Sequence, residues 1–265
     1  MARPILIAGN WKMNRGQKET EEFFAGLKPL WKIDSALMKS GGLQAALFPP
    51  ALSLERALKA RGDLPITIGC QNVHFEKSGA FTGEVSAPML SEIGINWALV
   101  GHSERRQYFG ETDASACKRA TSLIAQGFTV VFCIGETRTE REAGQTNAVL
   151  TRQIQEGLKG FTKDQTAKLI IAYEPVWAIG TGLTATPEQA EEAQKFCRDL
   201  ITKQFDAEIA SKMLILYGGS VTPQNVDSLL ACPNVDGALV GGASVKPDSF
   251  YALVEAGAAV IQSRN

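Results

Sequence analysis

Side chains able to move protons, and paired glycines, recur in this sequence just past short apolar runs. Asn10 and Lys12 follow the run at 5–8, and Gln71 and Asn72 the run at 66–69. His102, Ser103 and Glu104 follow residues 97–100, and Glu174 follows 169–173. Gly218-Gly219-Ser220 and Gly241-Gly242 close two further runs. A carboxylate, an imidazole and an ammonium gathered at one place could abstract a proton while stabilising the oxyanion that forms. Singly, each has an ordinary structural reading. A lysine past a strand is usually a solvated charge, a lone histidine a satisfied donor, a carboxylate before Pro175 a loop residue. The glycine pairs point further, because glycine lets backbone N–H groups approach an anion closely. His74 reads as structural, and the cysteines read as core residues.

The elements that must hold these groups are legible. Apolar runs at 5–8, 45–48, 66–69, 97–100, 129–134, 169–173, 214–217 and 238–240 are continuous rather than alternating, as in strands buried on both faces. Helical segments separate them. Residues 19–31 carry Phe23, Phe24, Leu27 and Leu30 at helical spacing, and Thr186-Pro187-Glu188-Gln189 spells an N-cap, a first-turn proline and a capping-box partner. Further helices are expected over 113–126 and from Pro223 and Pro247. No Pro/Gly/Ser-rich linker divides the chain. Eight strand–helix alternations predict a single α/β domain over 1–265, a closed eight-stranded parallel (β/α)8 barrel. An open doubly wound sheet would advertise Gly-x-Gly-x-x-Gly after its first strand, and Gly9-Asn10-Trp11-Lys12 does not. In such barrels chemistry sits at the C-terminal ends of strands, and phosphate in the loops after the seventh and eighth.

Composition narrows the function classes. The chain has 265 residues, 45% hydrophobic, with 27 basic and 28 acidic side chains, so nucleic acid is not an expected partner. Near-neutral charge still permits a local field for an anionic small molecule. Five cysteines with no Cys-x-x-Cys pair indicate a reduced, cytoplasmic setting. The opening residues lack a secretory pattern, and no segment is long and apolar enough to suggest a membrane partner.

Longer motifs carry a family likeness. Gly9-Asn10-Trp11-Lys12-Met13-Asn14, residues 100–106 (VGHSERR), residues 172–182 (AYEPVWAIGTG), Tyr217-Gly218-Gly219-Ser220-Val221 and residues 236–244 (DGALVGGAS) resemble the signatures of triosephosphate isomerases, in family order and over essentially the full length. The resemblance implies a TIM barrel that interconverts dihydroxyacetone phosphate and D-glyceraldehyde 3-phosphate without cofactor or metal. It implies Glu174 as the base and His102 as a neutral electrophile. Lys12, with Asn10 nearby, would hold the negative oxygen and the phosphate, and Glu104 would fix Lys12. Backbone N–H groups of Gly180, Ser220, Gly241 and Gly242 would bind phosphate. Residues 175–181 have the composition of a lid, with Gly180 and Gly182 as hinges. The long stretch 71–86, carrying Phe75 and Phe81, would dock into a second subunit and bring Thr82 beside Lys12 of the partner subunit, giving a homodimer. Cys70, and Arg138-Thr139 after Gly135-Glu136-Thr137, depart from the more usual family residues.

Read from the residues alone, other classes stay open. A Schiff-base aldolase would need a lysine where Glu174 ends its strand. A metal-dependent isomerase would need more ligands than two histidines and no carboxylate cluster provide. A catalytically silent barrel would be free to lose its base or lysine, and this chain retains both.

Overall fold

The computed structural model describes residues 3–180 and 184–263. Eight strands run β1 (Ile5–Asn10), β2 (Leu43–Phe48), β3 (Ile66–Ile68), β4 (Trp97–Val100), β5 (Thr129–Ile134), β6 (Leu169–Tyr173), β7 (Ile215–Tyr217) and β8 (Gly237–Val240). All pairings are parallel, in the order β3-β2-β1-β8-β7-β6-β5-β4. Cys70, just past β3, bridges to Ala98 of β4 and closes the ring. This is the single-domain (β/α)8 TIM barrel expected from the sequence, with every apolar run on a strand.

The continuous hydrophobicity of the strands now has its reason. Alternate residues face two separate cores. Leu6 and Ala8 of β1 point inward with Ala46, Phe48, Leu99, Val131, Cys133, Ile170, Ala172, Leu216 and Leu239. Ile5 and Ile7 point outward into the larger layer beneath the helices. Burying one such side chain contributes roughly 1.5–3 kcal/mol, and before the strand ends the faces stay apolar apart from the half-buried Gln44, Thr67 and Thr129. Gly69 makes room for the Phe48 ring, since a Cβ there would lie 2.4 Å from it.

The helices follow their sequence signals closely. Gln17–Leu30 buries Phe23, Phe24 and Leu27, while Asp113–Ala125 is capped by Thr112. Pro187–Gln204 opens on the Thr186/Gln189 capping box, and Pro247–Ser263 closes the fold. The helix expected from Pro223 begins later, at Val226, because the Asn225 side chain accepts the Thr222 N–H and makes a turn first. Cys70, Cys133 and Cys197 are core residues, as expected. Cys117 and Cys232 are only half-buried; Cys117 lies off the Ala116/Ala120/Leu123 face that its helix buries. Among the described residues, no helix is long and apolar enough to cross a membrane.

Candidate active site

Asn10 is the last residue of β1, and its buried side chain turns back to accept the Lys12 N–H at 3.0 Å. Lys12 has φ +52°, a left-handed conformation that costs a non-glycine residue about 1–3 kcal/mol. The Gln71 amide opposes that cost. It donates to the Lys12 carbonyl at 2.7 Å and to the Phe48 carbonyl at 2.9 Å, holding the loop from the end of β3. The Lys12 ammonium donates to Glu104 Oε1 at 2.6 Å. Glu104 and Lys12, 92 positions apart along the chain, are thus paired at the mouth of the barrel.

His102 is the N-cap of the helix Ser103–Tyr108. Its Nδ1 accepts the Glu104 N–H at 3.2 Å, so the ring proton resides on Nε2. That Nε2 lies 3.0 Å from Glu174 Oε1, and Glu174 Oε2 accepts the Ser103 N–H at 2.9 Å. Both side chains are buried, Glu174 to 2% exposure. Burial is the largest influence on Glu174 and works to raise its pKa, but His102 and the Ser103 donors outweigh it and hold the carboxyl below its ordinary value. For His102 burial is again largest and lowers the pKa; the Glu174 carboxylate overcomes it and draws the value upward. The Glu104 N–H aimed at Nδ1 opposes a second proton, because an imidazolium would set donor against donor.

These groups face one cavity of about 330 Å³ at the C-terminal mouth of the barrel. Its walls include Asn10, Lys12, His102, Glu174, Gly180, Ser220, Gly241 and Gly242. Lys12 lies along Gly241, whose missing Cβ would stand 3.4 Å from the lysine Cε. Gly218 abuts the base; a Cβ there would lie 2.8 Å from Glu174 Cγ. The Ser220 N–H is engaged in this arrangement, donating to the Ala178 carbonyl at 3.1 Å. A larger hollow of about 760 Å³ opens on the far side of Glu174, between Ser103–Asp113, Thr137–Glu140 and the segment after β6.

That segment begins with a short 3-10 turn at Val176–Ala178. The Val176 N–H donates to the Glu136 carbonyl, and Trp177 Nε1 donates to Glu136 Oε1 at 2.9 Å. Glu136 is fully buried and also accepts from Tyr173 and Arg141. Gly180 has φ +68°, in the left-handed region that favours glycine. Thr181 and the second expected hinge, Gly182, lie outside the described residues.

The long loop after β3 stands out from the surface. Thr82 is exposed and Phe81 is 42% exposed. Phe75 behaves differently: its ring stacks on His74 at 4.2 Å and is covered by the Lys118 ammonium at 3.6 Å, so it is largely engaged within its own chain. His74, whose ring also packs at a tilt against Phe81, organises the loop from beneath, in keeping with its structural reading. The sequence marks Gln71 and Ser103 as polar residues past strand ends but not what they hold, and it gives Glu136 no site role. Their signal is position alone, since each lies two or three residues past a strand end.

A family model for triosephosphate isomerase matches residues 5–257. A triosephosphate isomerase of Carboxydothermus hydrogenoformans is 49% identical over 253 residues, covering 96% of this chain and 98% of the relative. Those of Lactobacillus delbrueckii subsp. bulgaricus and Clostridium novyi are 46% and 47% identical, covering 96% and 95% of this chain and 98% of each relative. With the barrel, the strand-end cavity and this likeness along nearly its whole length, the chain belongs to the triosephosphate isomerase family, enzymes that interconvert triose phosphates.

Proposed function

We propose that Glu174 is the base that shuttles a proton between the two carbons of dihydroxyacetone phosphate and D-glyceraldehyde 3-phosphate. Glu174 takes the proton from one carbon, leaving an enediolate, and returns it to the neighbour, while the hydroxyl proton passes from one oxygen to the other by way of His102 Nε2, so that hydroxyl and carbonyl exchange places. His102 donates its Nε2–H to the oxygen that gains charge, and the Lys12 ammonium, steadied by Glu104 and Asn10, balances that charge. The observation that carries this reading is the Glu174–His102 contact at 3.0 Å, opening on the cavity that also holds Lys12.

The pKa influences suit the task. In the free enzyme Glu174 is a weak base, held low by His102 and Ser103. A substrate oxygen that takes over the His102 Nε2–H leaves burial as the dominant influence, and the carboxylate becomes a stronger base as catalysis begins. The same exchange removes from His102 the carboxylate that raises its pKa, so the ring stays neutral as the electrophile.

Gly241 and Gly242 supply N–H groups for the phosphate, joined by Gly180. Ser220 joins them once Ala178 releases its N–H, so phosphate binding and movement of segment 175–180 are one event. The exposed loop with Thr82 and Phe81, together with exposed Met13, Tyr108 and Phe109, supports a homodimer. Unpaired thiols at all five cysteines fit a cytoplasmic setting.

The test is a coupled assay on glyceraldehyde 3-phosphate with EDTA present and no cofactor in the isomerisation step. Fast turnover in the parent, lost in a folded Glu174→Gln variant, is the expected result. Turnover that survives the substitution overturns the assignment of the base.

A further inference from the structure

The reading just given needs the N–H groups of Gly241 and Gly242 to hold a fixed direction, yet glycine is the residue least able to fix its own backbone. We infer that Ser244, braced by Trp11, is the positioning residue that aims these donors at the phosphate of the substrate. This inference rests on the proposed phosphate site.

Ser244 is fully buried and does not line the cavity. Its hydroxyl lies 2.7 Å from the Gly241 carbonyl and 3.0 Å from the Val240 carbonyl, its one hydrogen shared between them. A trans peptide unit is planar, with C=O and the following N–H pointing in opposite directions. Holding the Val240 carbonyl therefore aims the Gly241 N–H, and holding the Gly241 carbonyl aims the Gly242 N–H, each away from Ser244. The cavity lined by Gly241, Gly242 and Lys12 supplies the place where those donors are wanted.

Two further observations tie this brace to the lysine side of the site. Trp11 Nε1 donates to the Ser244 carbonyl at 3.0 Å, so the residue preceding Lys12 is anchored to the turn across 233 positions of sequence. Gly9 leaves the space Ser244 occupies, since a Cβ at position 9 would fall 2.7 Å from Ser244 Cβ. Lys12 and the glycine donors thus share one buried support, and a shift of Ser244 would alter the spacing between the ammonium and both N–H groups.

The experiment compares Ser244→Ala and Trp11→Phe, which each remove one hydrogen-bonding group while keeping most of the packing. Inorganic phosphate binding is titrated in the parent first. Competitive inhibition by phosphate in the parent establishes the site; its absence sinks the proposed phosphate reading rather than this one. Given a binding parent, Ser244→Ala is expected to weaken phosphate about tenfold and to lower kcat/KM on glyceraldehyde 3-phosphate by a similar factor. On unphosphorylated glyceraldehyde the loss is expected to stay within about twofold. Trp11→Phe should act in the same sense, and the double variant should lose less than the product of the two single losses. Equal losses on both substrates, or unchanged phosphate affinity in folded Ser244→Ala, would overturn the positioning role.

Discussion

Shortening the base by one methylene, Glu174→Asp, is the most revealing perturbation of this site. The carboxylate now makes two contacts, 3.0 Å to His102 Nε2 and 2.9 Å to the Ser103 N–H. Aspartate retracts the oxygens by roughly 1–1.5 Å, which stretches both contacts beyond hydrogen-bonding reach. The backbone cannot follow to restore them. The Glu174 N–H is bonded to the Ile134 carbonyl, and its carbonyl is packed against Gly135, where a Cβ would come within 1.7 Å of it. A misplacement of about 1 Å at a reacting group costs on the order of a hundredfold, or about 2.7 kcal/mol in the barrier. The fold should survive, because the substitution removes volume at the mouth of the barrel rather than within its packed interior. The assay is steady-state turnover of glyceraldehyde 3-phosphate, with far-ultraviolet circular dichroism and thermal melting as controls on folding. A variant that keeps kcat within threefold of the parent would refute the reasoning, since it would mean that the carboxylate position is not critical.

Glu174→Gln should drop the His102 pKa below the ordinary histidine value, because burial remains and the carboxylate that outweighs it is gone. Imidazole NMR titration reads this, and an unchanged value would show that the two groups are uncoupled. In the parent the raised His102 pKa contributes stability that is fully present below the unfolded-state value and lost as pH rises through the folded one; the variant should lose that contribution. Gly218→Ala should cut kcat by roughly tenfold while the chain still folds, since its Cβ would press on Glu174 Cγ at 2.8 Å; turnover within twofold would mean the base yields harmlessly. Sedimentation velocity should find a dimer at micromolar concentration and a shift toward monomer in Phe81→Glu, whereas a fully active parent monomer at nanomolar concentration would remove the dimer proposal.

The strands were legible because a barrel strand is buried on both faces, so its sequence is apolar on both and turns polar where it ends. That rule alone put Asn10, Lys12, His102, Glu174 and both glycine pairs on one rim, and the signatures they belong to carried the family. Local chemistry also fixed the Thr186 cap and the helix from Pro247, because both signals act within a turn of chain. What the sequence could not give were relations between residues far apart along it. That His102 caps its helix while facing Glu174, that Gln71 holds Lys12 in a left-handed conformation, and that Ser220 is engaged by Ala178 follow from closure of the ring. Phe75 and Phe81 are alike in sequence, yet one ring is largely covered within its own chain and the other is offered to solvent. The difference lies in Lys118, brought over Phe75 by a helix that begins some forty residues later, and such contacts exist only once the tertiary structure has formed.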